Sequence, residues 1–131
     1  MFEKRWQQRF ENFQKAFLQF ENAINKENLS QLERSGLLQT FEFTFELSWK
    51  TLKDFLYAEG ITANTPREVI QKSFHAEIIQ DGHDWIDALE KRNLLSHSYS
   101  EELSKSAEKL IREKYYNMIS KFKLSFEKKF S

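Results

Sequence analysis

The nine residues Phe41–Trp49 spell FEFTFELSW, in which apolar and polar side chains alternate as they do in a half-buried β-strand. Two observations favour a helix instead. No other stretch of the chain has the pattern of a partner strand, and the flanking apolar residues follow a helical spacing, with Leu37 before the stretch and Leu52, Phe55 and Leu56 after it. We therefore predict that the stretch belongs to a long helix that ends at Gly60.

As a helix, this stretch is apolar on two sides. Phe41, Phe45 and Trp49 share one side, whereas Phe43 and Leu47 fall on another. A helix with so wide an apolar arc needs cover on more than one side. It is therefore either the central helix of a bundle or a helix that also faces a second subunit, and we expect a homodimer built on it.

The composition of the whole chain is helical. Its 131 residues include three glycines and one proline, and β-branched residues are scarce beside Leu, Phe, Glu, Lys and Gln. Thirteen Phe, three Trp and four Tyr supply large apolar side chains for a core. The length suits one domain, residues 1–131. The predicted fold class is all-α: an antiparallel up-and-down bundle of four main helices plus a short helix.

An apolar stripe defines the first helix. Its members are spaced by three or four positions: Phe2, Trp6, Phe10, Phe13, Phe17, Phe20 and Ile24. Core packing explains such a stripe better than a ligand-binding face does. Asn28 or Ser30 begins the second helix, and Gly36 is a candidate position for a bend or break in it.

Capping signals place the remaining helices. The segment Thr65–Glu68 (TPRE) combines an N-cap, a proline at the first helical position and a capping-box glutamate, and it predicts a third helix from Thr65 to about Ile79. A turn at Asp81-Gly82 precedes a fourth helix. Ser100 and the two glutamates after it predict the start of the last helix. The apolar stripe of that helix is Leu103, Ala107, Leu110, Ile111, Met118, Ile119, Phe122 and Phe126.

Composition also excludes several classes of protein. Twenty basic and twenty acidic residues cancel, so no overall field attracts nucleic acid or a membrane. The absence of cysteine excludes disulfides and thiolate metal sites. The N-terminal MFEKRWQQRF lacks the apolar centre of a signal peptide, and no window approaches ~18 consecutive apolar residues. We expect a cytoplasmic protein without membrane contact.

Charge is nevertheless unevenly distributed. Residues 112–129 hold six basic and two acidic residues, a local net charge of +4, and residues 77–91 hold five acidic residues and one basic residue, a local −4. The basic segment suits either a phosphate backbone or an acidic partner, or it is simply a solvated helix face.

Four polar residues near the start of the fourth helix suggest a metal site: Asp81, His83, Asp84 and Asp87. Acids in the first turn of a helix interact favourably with its dipole without any metal. No second histidine stands at metal-binding spacing. We therefore predict neither a metal nor another cofactor.

The end of the fourth helix carries the residues best suited to chemistry, in the stretch RNLLSHSY. Arg92 falls on the same face as Trp85 and requires an anionic partner, such as a phosphate. Asn93 and His97 are four positions apart and share a face. His97 exchanges protons near neutral pH, as ribonuclease chemistry requires. The alternative is that Arg92 and His97 only cap a helix C-terminus.

This stretch resembles the Arg-x4-His-x-Tyr motif of HEPN domains, small helical bundles found beside minimal nucleotidyltransferases. The wider chain resembles the branch called nucleotidyltransferase substrate-binding proteins, through FEFTFELSWKTLKDFLYAEG, TPREVIQKSF and the tryptophan before RNLLSHSY. The resemblance implies that Arg92 and His97 are a ribonuclease pair, with Asn93 as a supporting polar residue. It also implies that Tyr99 is the tyrosine to which the partner adds AMP in toxin–antitoxin systems.

The resemblance leaves two functions open. One is a metal-independent endoribonuclease toxin that its nucleotidyltransferase partner silences. The other is a non-catalytic subunit that presents a nucleotide or another substrate to that partner. Both imply a homodimer with a cleft that takes RNA or a nucleotide. The chain itself lacks the Gly-Ser element and paired aspartates of a nucleotidyltransferase.

Overall fold

The computed structural model describes the backbone of residues 2–96 and 100–130, and the side chains of residues 5–93 and 100–130. Every regular element in these residues is helical, in the order α1 (Phe2–Asn25), α2 (Gln31–Ala58), α3 (Pro66–His75), α4 (Gly82–Ser96), α5 (Glu101–Leu110), a π segment (Ile111–Tyr115) and α6 (Tyr116–Phe130). The predicted all-α bundle is confirmed. None of the described helices combines the length and apolar character needed to cross a membrane.

The stretch FEFTFELSW is helical, as predicted, and it forms the middle of α2. This helix is central because it packs against α1, α3, α4, α5 and α6. α1 runs antiparallel to α2, since Phe20 contacts Phe41 at one end and Arg9 pairs with Asp54 at the other. α5, the π segment and α6 follow one another without a break and run in the same direction as α2.

The core is largely aromatic. From the predicted stripe, α1 contributes the buried side chains of Trp6, Phe10, Phe13, Phe17 and Phe20, whereas Ile24 is only partly buried and the Phe2 side chain lies outside the described residues. The rings of α1 contact one another and those of α6, for example Phe13 against Phe122 with ring centroids 5.0 Å apart. The largest fully buried side chains are Trp85, Tyr115, Phe10, Phe13, Phe20, Phe41, Phe45 and Phe126. Each large ring removes apolar surface from water, and the edge-to-face contacts between rings add to that stabilisation.

The side of α2 that carries Phe43 and Leu32, here called its outer side, is left largely open by the part of the chain that the structure describes. Phe43 is 60% exposed and Leu32 is 83% exposed, whereas Leu47 is half-buried against the core. Gly36 does not break the helix, which is continuous through it. The predicted second apolar side therefore exists at Phe43, while Leu47 already has partial cover.

Local capping explains the two ends of α2. Ser30 and Glu33 form a reciprocal capping box at its start. At its end Gly60 has a φ of 84°, and the N–H of Ile61 donates to the carbonyl of Leu56 at 2.8 Å. This is a Schellman motif, in which glycine adopts the left-handed conformation without a Cβ penalty.

The third helix is shorter than predicted. α3 begins after the Thr65 cap as expected, but it ends at His75 and not near Ile79. Glu77 adopts a left-handed conformation with a φ of 60°, and the N–H of Ile78 donates to the carbonyl of Ser73 at 2.9 Å. The same terminating motif therefore has a glutamate at its left-handed position. Glycine is the residue that usually marks this position in a sequence, so the end of α3 was not predicted.

The last helical run differs from the predicted stripe in two ways. Leu103 is 60% exposed, and its neighbour Ser104 is fully buried where α5 packs against α2. The π segment inserts one wider turn after Leu110, which brings Tyr115 into the core. The prediction that Leu103 belongs to the buried stripe is wrong, because Ser104 and Ala107 are small enough for the helices to approach closely.

Candidate functional site

Arg92 lies in the last part of α4 and is held by a carboxylate of α2. Its Nη1 donates to Oε1 of Glu46 at 2.7 Å, and the Arg92 side chain is 24% exposed. The other oxygen of that carboxylate, Oε2, accepts from Nε1 of Trp49 at 3.0 Å. The anionic partner of Arg92 in the structure is therefore a carboxylate of the same chain.

Glu46 is the residue of this site that the sequence did not reveal. It is one of the polar positions of FEFTFELSW and is separated from Arg92 by 46 positions. The sequence could have indicated only its contact with Trp49, because residues three apart on a helix are neighbours. The ion pair fixes the guanidinium relative to α2, since the Trp49 indole orients the carboxylate.

Only part of the predicted site falls within the described residues. Arg92 and Asn93 are adjacent near the end of α4, and the Asn93 side chain is exposed. His97 and Tyr99 lie outside the described residues, so the roles predicted for them stay predictions.

The first half of α4 is anchored in the core through Trp85. The Trp85 ring is fully buried between Phe45 and Phe122, and its Nε1 donates to Oδ1 of Asp81 at 3.1 Å. Burial raises the pKa of Asp81. The helix that carries Arg92 is thus fixed at its start by a tryptophan with a satisfied N–H.

The middle of α4 is anchored by Asp87. Its Oδ2 accepts from the buried Tyr115 hydroxyl at 2.6 Å and from Lys114 Nζ at 3.1 Å, and its Oδ1 pairs with Lys91 at 3.0 Å. Burial opposes ionisation of Asp87, but these three donors outweigh it and lower the pKa of Asp87 from 3.8 to about 2. Burial and the bond to Asp87 raise the pKa of Tyr115.

Three of the four polar residues considered as metal ligands have other partners. Asp81 accepts from Trp85, both Asp84 and Asp87 pair with Lys114, and His83 is exposed. Among the described residues, no three His, Asp or Glu side chains are grouped closely enough to hold a metal ion.

Much of the basic segment 112–129 is engaged within the protein. Lys114 pairs with the acidic segment, and Lys123 pairs with Glu127. Arg112 pairs with Glu108 and donates to main-chain carbonyls just after α1 and in its last turn. These contacts favour the interpretation of this segment as a helix face, and they leave less charge for a phosphate backbone or an acidic partner.

Comparison with known proteins gives one family. Residues 8–128 match the family model described as nucleotidyltransferase substrate binding protein like. The chain is also 30% identical over 73 residues to a Haemophilus influenzae protein named "Probable ribonuclease HepT", over 52% of this chain and 50% of that protein. The chain thus matches about half the length of this curated relative.

A solved structure shows the same fold. The crystal structure of a protein from Thermus thermophilus superposes with a TM-score of 0.76 at 23% identity, and the match covers 90% of this chain and 98% of that one. The family match includes most of α1, all of α2 to α5 and most of α6. This chain is a member of the HepT-like, nucleotidyltransferase substrate-binding family of HEPN proteins.

Proposed function

We propose that this chain is the helical partner subunit of a two-component minimal nucleotidyltransferase system, and that it is a metal-independent endoribonuclease controlled by AMPylation. The observation that carries the proposal is the placement of Arg92, the first residue of the motif, which is partly exposed and held by Glu46. The family description and the name of the Haemophilus relative support it.

The proposed chemistry is cleavage of RNA by its own 2′-hydroxyl. His97 accepts the proton of that hydroxyl, the 2′-oxygen attacks the phosphorus, and the bond from phosphorus to the 5′-oxygen breaks. A proton returns to the leaving 5′-oxygen, and the products are a 2′,3′-cyclic phosphate and a 5′-hydroxyl. Arg92 stabilises the negative charge that develops on the phosphate oxygens, and Asn93 supports it.

The test is incubation of RNA with pure protein in EDTA. We expect cleavage by the wild type, and we expect His97→Ala to lower the rate by about 100-fold or more, the usual contribution of a general acid or base. His75→Ala, which removes an exposed histidine at the end of α3, is the matched control and should cleave normally. Activity that EDTA abolishes and magnesium restores would contradict the proposal.

The second part of the proposal concerns Tyr99. Addition of AMP to its phenol would place a phosphodiester anion near Arg92, where the anion competes with an RNA phosphate. We expect an added AMP mass on the Tyr99 peptide after incubation with the partner nucleotidyltransferase, ATP and magnesium, and none in Tyr99→Phe. Peptide mass spectrometry measures this. An unmodified Tyr99 beside a demonstrably active transferase would rule out the switch.

The third part is a homodimer that uses the outer side of α2. The exposed Phe43 and Leu32 side chains support this, because their spacing of eleven positions brings them to the same face of α2, where a second subunit would cover both. Sedimentation at micromolar concentration should give twice the chain mass, and Phe43→Glu should shift it toward one chain mass. A wild-type protein that sediments as a monomer would contradict both the dimer and the shared cleft.

The alternative function is a non-catalytic subunit that presents a nucleotide or another substrate to the nucleotidyltransferase. One observation favours it: the family description names substrate binding. The EDTA assay separates the two functions, since a binding subunit leaves RNA intact whether or not metal is present.

A further inference from the structure

A line of polar and basic side chains runs along the C-terminal half of α2, from the Glu46–Arg92 pair toward Gly60 and beyond the Phe43 and Leu32 positions proposed for the dimer. Glu46, Lys50, Lys53 and Tyr57 are separated by four, three and four positions, so they occupy one face of the helix. With a rise of about 1.5 Å per residue, Lys50 lies about 6 Å, Lys53 about 10 Å and Tyr57 about 16 Å beyond Glu46 along the axis. Arg92 therefore stands at one end of the line and Tyr57 at the other.

The two lysines of this line, and Arg5 of α1 beside Lys53, keep their charge unpaired by carboxylates in the described part of the chain. Lys50, Lys53 and Arg5 make no ion pair with any side chain that the structure describes. The two carboxylates beside them, those of Asp54 and Glu46, are each already paired with an arginine. The surface therefore keeps a local excess of positive charge, although the chain as a whole is neutral.

The far end of the line opens into a cavity of about 200 Å³. Tyr57 stands in its wall with 46% of its surface exposed. The loop that forms the opposite wall is held in place, because Lys72 Nζ donates to the carbonyl of Thr62 at 2.6 Å and the N–H of Asn64 donates to Glu68 at 3.1 Å. The lining residues are Arg5, Lys53, Asp54, Tyr57, Thr62, Ala63 and Asn64.

We propose that this face of α2 binds the single-stranded RNA that flanks the phosphate held at Arg92. Lys50, Lys53 and Arg5 contact successive backbone phosphates, and the ring of Tyr57 stacks against a base at the cavity. A row of cations that ends at an exposed aromatic ring is the combination that single-stranded nucleic acid requires, since phosphates need charge and unpaired bases need a flat surface. This inference rests on the proposed function, and it identifies the substrate as unpaired RNA with a direction along α2.

Binding can be measured without cleavage. The probe is a fluorescent single-stranded oligonucleotide of about ten residues with 2′-O-methyl riboses, which lack the attacking hydroxyl, and the readout is anisotropy at several salt concentrations. Lys50→Gln, Lys53→Gln and Arg5→Gln should each weaken binding and each reduce the slope of log affinity against log salt by about 0.7. Lys15→Gln removes an exposed lysine of α1 away from this face, and it should match the wild type.

The stacking contact has its own pair of variants. Tyr57→Leu keeps an apolar side chain but removes the flat ring, and it should weaken binding about fivefold or more without changing the salt slope, whereas Tyr57→Phe should bind as the wild type does. Thermal melts followed by circular dichroism confirm that each variant is folded.

Two results would overturn the inference. One is an affinity within twofold of the wild type for each of the four variants expected to bind weakly, which are Lys50→Gln, Lys53→Gln, Arg5→Gln and Tyr57→Leu. The other is competition by polyglutamate as strong as that by unlabelled RNA, which would make the face a docking surface for an acidic protein. Because the probe is not cleaved, a protein that binds as expected but lacks ribonuclease activity would support the RNA-binding face and contradict the endoribonuclease proposal alone.

Discussion

Replacing Glu108 with alanine should lower the free energy of unfolding by about 3–5 kcal/mol. Its carboxylate accepts from Nε of Arg34 at 2.8 Å and from Nε of Arg112 at 2.7 Å. The Arg34 side chain is only 9% exposed, so the variant would leave a guanidinium charge buried without its counter-ion. Chemical denaturation at neutral pH, followed by circular dichroism, measures the loss as a lower midpoint.

The control is an exposed ion pair on another surface. Arg67 and Glu90 are about half exposed, so Glu90→Ala should cost less than about 1 kcal/mol. The double variant Arg34→Met with Glu108→Leu should recover part of the loss, because it removes the buried charge together with its partner. Equal midpoints for Glu108→Ala and Glu90→Ala would show that the buried pair contributes nothing beyond a surface pair.

Acid should destabilise the protein between about pH 5 and pH 2. Asp87 has its pKa lowered from 3.8 to about 2 in the folded protein. Its contribution to stability is therefore complete above the pKa of the unfolded chain and is lost as the pH falls through the folded value. The shift is equivalent to about 2 kcal/mol at most, since the side chain is partly exposed. Glu108, whose pKa is also lowered, adds to the loss in the same direction.

Removing the Tyr115 hydroxyl tests whether Asp87 causes this acid sensitivity. Tyr115→Phe removes the 2.6 Å donor but keeps the buried ring, so the pKa of Asp87 should move back toward 3.8. The variant should be less stable than the wild type at pH 7, by about 1.5–3 kcal/mol for the loss of a bond to a charged group. The difference should shrink as the pH approaches 2. Denaturation midpoints across this range measure it, and a difference that is constant with pH would assign the effect elsewhere.

Many helix boundaries were predictable because their signals lie within a few residues of each boundary. Ser30, Thr65 and Ser100 each accept from the main-chain N–H three positions later, and Gly60 ends α2 in the left-handed conformation. The prediction that FEFTFELSW is helical is also confirmed. The helical spacing of the apolar residues around this stretch was a better guide than the strand-like alternation within it.

The features that were predicted wrongly or missed have no such local signal in the sequence. α3 ends in a left-handed Glu77, a residue type that rarely adopts this conformation, so nothing in the sequence marks the position. Tyr115 of the π segment contacts Asp87 and Phe41, which lie on other helices and are distant from it in the sequence. The exposure of Leu103 likewise follows from how closely α5 approaches α2.

Some residues of the candidate site were likewise predictable from the sequence, and others were not. Residue types and spacing singled out Arg92, Asn93 and His97, and the resemblance to HEPN domains added Tyr99. Only the tertiary structure showed that Glu46 holds Arg92 and that Lys50, Lys53 and Tyr57 extend the same face toward a cavity. The physical reason is the range of the forces involved. Periodicity and capping act within one or two turns, whereas an ion pair between α2 and α4 exists only after the aromatic core has brought the two helices together.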